Sequence, residues 1–259
     1  MIVDITNSFL YNHKPFPNLI KDDFLDPDEF KVVNSIVDKI NKIINTLGFD
    51  FSNKEHSLSS IYDKDSANSS NTNISLLSEG AVRRDVIHDL PDLKSLQYPD
   101  GFIELLYDKY NDIFLKLLKK LDSKKLKFYD YTHIAIASTG KSFTSIVHDD
   151  ALWKLLSVVT YLSPTNNIGT NLFECTSKEG WQKSKKLKGP FEIKWKVNRA
   201  FIFSPRQGFT PHSYKSNGID HRHALTFNLC TRSDPREIKK AEDLIDSSKT
   251  FPIPSLDFY

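Results

Sequence analysis

Cysteine, methionine and glycine are scarce in this chain: its 259 residues hold two Cys, one Met and nine Gly. Cys175 and Cys230 cannot form a disulfide framework, so the fold must be held by its core. One bridge is open to them, but two separate buried thiols in a reducing cytoplasm fit the count better. Long apolar runs are also missing. No stretch of about 18 apolar residues occurs, so no segment is expected to cross a bilayer. The start, Met1-Ile2-Val3-Asp4-Ile5, lacks a basic segment followed by an apolar one, so no secretory leader is expected. Neither sign of charge dominates: 35 Lys+Arg face 33 Asp+Glu, a formal net charge of +2. That balance argues against a nucleic-acid groove or an anionic membrane surface as partner. What remains, 39% hydrophobic, 26% charged and 12% aromatic, describes a globular domain long enough to bury a core without staples.

The first half reads mainly helical. Pro15-Phe16-Pro17-Asn18-Leu19-Ile20 is a short extended segment, because the residue before proline avoids helix. Asp26-Pro27-Asp28-Glu29 is a helix start, with Asp26 as cap, Pro27 in the first turn and Glu29 three residues after the cap. Phe30, Val33, Ile36, Val37, Ile40, Ile43, Ile44 and Leu47 then follow at helical spacing, and Gly48 ends the run. Segment 64–80 is rich in Ser, Asn and Asp and reads as a surface loop or lid. A second helix is expected over 100–121, with Phe102, Leu105, Leu106, Ile113, Phe114, Leu117, Leu118 and Leu121 on one side and Lys119 and Lys120 in its last turn.

After Ser123 the period changes. Short runs rich in Val, Ile, Thr, Phe and Tyr cover 127–138, 154–162, 190–196, 199–203 and 222–230, which predicts a sandwich or small barrel. A charged helix is expected over 236–246, and the apolar, proline-containing end 251–259 is expected to cover the body or a second subunit.

The strand half holds His148-Asp149-Asp150, then His212, then Arg222 ten residues beyond. If His148 and Asp150 lie on a strand they face one side, with Asp149 pointing away. With His212 they would make a two-His-one-carboxylate face that leaves three positions open on a metal, the arrangement of non-haem Fe(II) oxygenases. Residues of these types also occur as solvated surface groups, and H-x-D alone does not choose between the two. Arg222, Ala224, Thr226 and Asn228 would share one face of a core strand. An inward arginine there calls for an anion, and its fork suits a carboxylate.

With these residues in place the sequence resembles the iron- and 2-oxoglutarate-dependent oxygenases, near their prolyl-hydroxylase-like branch. The likeness begins at 15–27, which is similar to the family's opening strand and capped helix. It continues through His148, Asp150 and His212 as iron ligands, Arg222 and Thr226 as co-substrate residues, and Tyr161 on the strand after H-x-D. Two departures stand out. The family's glycine pair is reduced to Gly169 in Gly169-Thr170-Asn171, and its tyrosine about ten residues before the iron histidine is replaced near Ser138. Tyr131 and His133, earlier on that strand, could face substrate or sit in the core.

The resemblance implies an α+β fold: a double-stranded β-helix (jelly-roll, cupin-like) core over 125–233, an N-terminal support region 1–124 packed on it, and a C-terminal helix and tail 234–259. It implies Fe(II), 2-oxoglutarate and O2 as cofactor and co-substrates. The expected activity is hydroxylation of an unactivated C–H bond in a small molecule, such as an amino acid or biosynthetic intermediate. Halogenases related to the family lack the carboxylate that Asp150 would supply, which favours hydroxylation. Arg83 and Arg84 are candidates for binding an anionic substrate, and loop 174–190, with Trp181 and its lysines, is a second candidate lid. His223, flanking Arg222, is expected to be structural or exposed. Two alternatives stay open: a peptidyl prolyl hydroxylase, and a cupin-like module that binds metal without turnover. Either a monomer or a homodimer is compatible with the sequence.

Overall fold

The computed structural model describes residues 8–47, 55–63, 73–77 and 98–243. Two short strands, β1 (Leu10–Asn12) and β2 (Asn18–Lys21), open the chain and pair antiparallel. Helix α1 (Pro27–Leu47) starts as its sequence dictates. The Glu29 amide donates to Asp26 Oδ1 at 2.9 Å, and the Asp26 amide donates to Glu29 Oε2 at 3.0 Å, a reciprocal cap. Val33, Ile36, Val37 and Ile40 face inward. Helix α2 (Phe102–Asp122) is tied to the start of α1 by Lys109, which bridges Asp26 and Glu29 at 2.7 Å each. The α2 stripe is rotated from expectation. Ile103 and Tyr110 are buried with Leu106, Phe114, Leu117 and Leu118, while Leu105 is 51% exposed. Burial follows the i, i+3, i+4 row 103-106-110-114-117, which excludes position 105.

The strand expected from 127 is a correction. Residues Ser123–Phe128 form a 3₁₀ turn continuing from α2, with Lys125 buried and donating to the Pro205 carbonyl. Strand β5 begins only at Tyr131 and runs to Thr139. The remaining strands are β3 (Glu55–Asp63), β4 (Asn73–Leu77), β6 (Lys154–Ser163), β7 (Thr170–Cys175), β8 (Leu187–Ile193), β9 (Ala200–Phe203), β10 (His212–Tyr214) and β11 (Arg222–Cys230). Strand β4 falls inside the segment read as a loop, whose other residues, together with Gly48, Arg83, Arg84 and the tail from 244 onward, lie outside the described residues. A one-turn helix α3 (Trp181–Ser184) and helix α4 (Pro235–Asp243) complete the elements.

Every strand pair among the described residues is antiparallel. Eight strands form one sheet in the order β1-β2-β9-β6-β11-β5-β3-β4, and three form a second in the order β10-β7-β8. The support region thus contributes four strands to the large sheet. Alternation along the central strands gives that sheet two different faces. Ile134, Ile136, Val158, Ile202, Leu225, Phe227 and Leu229 join α1 and α2 in the main core. The opposite face carries Tyr161, Phe201 and Phe203, which meet Leu172 and Ile193 of the small sheet and Phe16. Gly169 sits where these layers touch: a Cβ there would lie 1.8 Å from the Ile193 carbonyl oxygen. Cys175 and Cys230 are separate thiols, half-buried and buried. Among the described residues no helix is long and apolar enough to cross a membrane.

Candidate metal centre

A cavity of about 160 Å³ opens between the two sheets. The large sheet lines it with alternate residues of its central strands: Ser157 and Val159, Phe201 and Phe203, and Arg222, Ala224, Thr226 and Asn228. The period-2 pattern of β11 therefore places on one face the four residues expected there. Thr170, His212 and Tyr214 line the cavity from the small sheet.

His148, Asp150 and His212 meet in this cavity, with one ligand atom from each lying within 4.8 Å of the others. The backbone that unites them differs from expectation. His148 makes an isolated antiparallel bridge to His212, and Asp150 lies on the loop before β6, so strand alternation does not align them. The His148 amide donates to the His212 carbonyl at 3.0 Å and the His212 amide to the His148 carbonyl at 2.9 Å, which sets the imidazole centroids 4.5 Å apart.

Each imidazole is oriented by a carbonyl. His148 Nδ1 lies 2.9 Å from the Ile146 oxygen, and His212 Nδ1 lies 3.0 Å from the Thr210 oxygen. A carbonyl only accepts, so both Nδ1 atoms carry a proton and Nε2 is the nitrogen each ring can offer to a metal. Burial holds the His212 pKa down at about 4, against the opposing charge of Asp150, which keeps this ring a neutral ligand. Asp150 is ionised: burial opposes its charge, but Lys154, His212 and the Ser157 hydroxyl outweigh burial and push its pKa well below the usual carboxylate range. Lys154 Nζ donates to Asp150 Oδ1 at 3.0 Å and Ser157 Oγ to Oδ2 at 2.5 Å. Two imidazoles and one carboxylate suit a divalent metal and leave coordination positions open.

Asp149 points away from this centre, as expected, and clamps it from behind. Its Oδ2 accepts from the Trp181 indole (2.8 Å), Gln182 Nε2 (2.9 Å) and the Gly208 amide (2.9 Å), while Oδ1 accepts from the Thr210 amide (3.2 Å). Gln207 Nε2 donates to the Asp150 carbonyl at 2.6 Å. The loop carrying two ligands is thus tied to the loop that leads into the third. Within the expected lid 174–190, Trp181 has this anchoring role, while Lys183, Lys185, Lys186 and Lys188 are exposed.

Arg222 is 3% exposed, and among the described residues its guanidinium has no carboxylate partner. Its Nε makes no hydrogen bond. The guanidinium carbon sits 4.6 Å from the Tyr214 ring centroid, 5.3 Å from Trp195 and 5.5 Å from Tyr161. A buried, always charged fork facing a cavity without a counter-ion is a place for an anion.

The other expected site residues are placed as follows. Thr226 lines the cavity, its hydroxyl donating to the Ala135 carbonyl at 3.2 Å. Tyr161 lies behind Arg222 rather than on the cavity wall: its hydroxyl donates to Thr170 Oγ1 at 2.8 Å, and it meets Arg222 through its ring face. His133 and Tyr131 stand beyond the cavity's end. His133 is 3.4 Å from Asn228 Nδ2 and edge-on to Trp153, and Tyr131 lies under Arg232. His223 is buried between Ser138 Oγ (2.8 Å) and Asn41 Oδ1 (3.0 Å), a structural position. Lys154, Ser157 and the rings of Tyr214 and Trp195 were not foreseen. Only Lys154 left a signal in the sequence, four residues after Asp150.

No protein-family model matches the sequence, and no curated protein matches it. Among solved structures, a prolyl-4-hydroxylase of Pseudomonas putida is similar at 12% identity and TM-score 0.43, over 90% of this chain and 98% of that one. The dioxygenase for auxin oxidation 1 of Arabidopsis thaliana, solved with 2-oxoglutarate, is similar at 13% identity and TM-score 0.45, over 79% and 80%. A prolyl hydroxylase of Trichoplax adhaerens, solved with a hypoxia inducible factor peptide fragment, is similar at 15% identity and TM-score 0.41, over 86% of each chain. The residues of the cavity, not these likenesses, carry the functional reading.

Proposed function

We propose that the protein is an Fe(II)- and 2-oxoglutarate-dependent dioxygenase built on a double-stranded β-helix, which hydroxylates a C–H bond of a small molecule. One observation carries this: the buried Arg222, without a counter-ion, shares a single cavity with His148, Asp150 and His212. A structural metal needs no such arginine. A co-substrate with a metal-chelating keto acid at one end and a carboxylate at the other needs both.

The residues divide the work. His148, Asp150 and His212 would hold the metal on one side, leaving its other positions to ligands. Arg222 would receive the far carboxylate, with Tyr214, Trp195 and Tyr161 walling the guanidinium so that the pair forms away from water. Thr226 stands on the same wall, two residues from Ala224, whose small side chain leaves room above the strand. Phe201 and Phe203 add apolar surface to the cavity, level with Thr226 and Asn228. When bound, Fe(II) supplies the oxidation chemistry: the C–H bond and 2-oxoglutarate each take one atom of O2, giving the alcohol, succinate and carbon dioxide. A cavity set between two sheets supports a small-molecule substrate over an extended peptide.

Calorimetric titration of 2-oxoglutarate into the Fe(II)-loaded protein under argon tests the reading. Saturable binding is expected, weakened at least 100-fold in Arg222→Ala. Binding that is absent, or unaffected by Arg222→Ala, contradicts it.

A further inference from the structure

One row of register partners crosses the large sheet beside the metal ligands. His133 of β5 pairs with Asn228 of β11, Asn228 with Ser157 of β6, and Ser157 with Phe203 of β9. Directly opposed residues point to the same face, here the face that Asn228, Ser157 and Phe203 give to the cavity. Ser157 Oγ donates to Asp150 Oδ2 at 2.5 Å, and the Phe203 ring lies 5.1 Å from that of His212. Asn228 is one strand from Ser157 and His133 is two, with neighbouring strands about 4.8 Å apart. A molecule held by Asn228 and His133 therefore lies next to the reactive centre.

Asn228 carries hydrogen-bonding capacity that the fold leaves unused. It is 3% exposed, and its Nδ2 meets His133 Nδ1 at 3.4 Å. Among the described residues nothing donates to its Oδ1. An amide on a core strand with an idle acceptor is costly unless a ligand uses it. The dianion of 2-oxoglutarate does not, because it has acceptors and no donor. His133 presents the complementary group. An amide nitrogen only donates, so His133 Nδ1 accepts and Nε2 carries the proton of this ring. Burial lowers the His133 pKa to about 4, so the ring is neutral at pH 7. No described residue accepts from its Nε2.

Resting on the oxygenase reading above, we propose that Asn228 and His133 are specificity-determining residues and that the substrate is a small neutral amide or lactam. Its N–H donates to Asn228 Oδ1, and its carbonyl accepts from His133 Nε2. An acceptor and a donor on adjacent strands match the adjacent donor and acceptor of an amide, and neither protein group is charged. Trp153 is exposed and stands edge-on to His133, with ring centroids 6.3 Å apart. It gives the flat, apolar part of such a molecule a surface.

2-Quinolinone and coumarin are flat, neutral and nearly the same shape, but the lactam N–H of the first is a ring oxygen in the second. Calorimetric binding of each is measured under argon to protein saturated with Fe(II) and 2-oxoglutarate. 2-Quinolinone is expected to bind more tightly than coumarin by about ten-fold, the loss that an unmet buried acceptor produces. That preference should vanish in Asn228→Leu, which keeps the shape of the side chain. His133→Phe should weaken 2-quinolinone by about the same factor. Equal affinities in the unmodified protein, including no binding of either, overturn the proposal whether or not the variants fold. So does a preference that survives Asn228→Leu, or 2-quinolinone affinity that is unchanged in His133→Phe. A matching loss of 2-oxoglutarate affinity in Asn228→Leu also overturns it, by giving that amide to the co-substrate. Failure of the saturation step with Fe(II) or 2-oxoglutarate in the unmodified protein is seen before either probe is added. It overturns the oxygenase reading, and this inference with it.

Discussion

His148 and His212 exchange two backbone hydrogen bonds, at 2.9 and 3.0 Å, although they lie far apart in the sequence. The metal face is therefore set by backbone pairing before any ion arrives. Asp149 extends the same restraint through four accepted hydrogen bonds from two other segments. Removing it should loosen ligands that it does not touch. Asp149→Ala is expected to cost on the order of 2–4 kcal/mol of stability, because buried amide and indole donors lose their acceptor. It should also weaken Fe(II) binding about 10–100-fold. Chemical denaturation and metal titration read the two effects separately. Unchanged metal affinity would show that the clamp does not set the ligand geometry.

Arg222 should behave oppositely with respect to stability. Its charge is buried without a counter-ion, so it contributes binding rather than folding energy. Arg222→Met is expected to leave the melting temperature of the metal-free protein unchanged or higher, while abolishing the thermal shift produced by 2-oxoglutarate. A fall of more than about 3 kcal/mol would instead mark Arg222 as a structural residue paired in the native state.

Glu29 is buried and joins the α1 cap to α2 through Lys109 and the Tyr110 hydroxyl at 2.6 Å. Glu29→Ala removes a cap partner and leaves a buried hydroxyl without its acceptor. We expect a loss of about 2–3 kcal/mol. Because the helices lie on the far side of the large sheet, 2-oxoglutarate affinity should stay the same. Paired denaturation and binding measurements check both halves of this expectation.

The pH dependence follows from buried histidines. Burial lowers the pKa of His133 to about 4 and of His223 to about 3, from an ordinary 6.5. Both are neutral in the folded protein at pH 5, where the unfolded chain has already taken up protons. Their contribution is complete above pH 6.5 and is lost as the pH falls toward 4 and then 3. Each unit of depression corresponds to about 1.4 kcal/mol. The metal-free protein should melt progressively lower from pH 6.5 to 4, and His223→Gln should flatten the slope. A flat profile in the unmodified protein would contradict this.

Much of the site was legible because β-strand alternation and helix capping are local rules. The faces of β11 and the Asp26–Glu29 cap follow directly from residue order. Short strands without a strong pattern escaped. Strand β10 has three residues, and the six of β7 mix apolar and polar side chains without a clear run. The 3₁₀ turn at 123–128 was hidden because Leu126 and Phe128 fit an apolar strand as well as a turn that buries Lys125 against Pro205. His148 and Asp150 come together for a reason other than the i, i+2 rule, since the loop that carries them is shaped by partners more than 30 residues away. Tyr214 and Trp195 around Arg222 could not be read from the chain, since each reaches it from a different element.

Turnover is the direct test of an oxygenase at this site. Protein reconstituted with Fe(II) under argon is exposed to air with 2-oxoglutarate, and succinate is measured with and without a panel of amino acids and other small metabolites. Slow succinate formation, lost in Asp150→Ala and accelerated by at least one member of the panel, is the expected result. No succinate from protein that has bound Fe(II) and 2-oxoglutarate, under any member of the panel, would contradict the central claim.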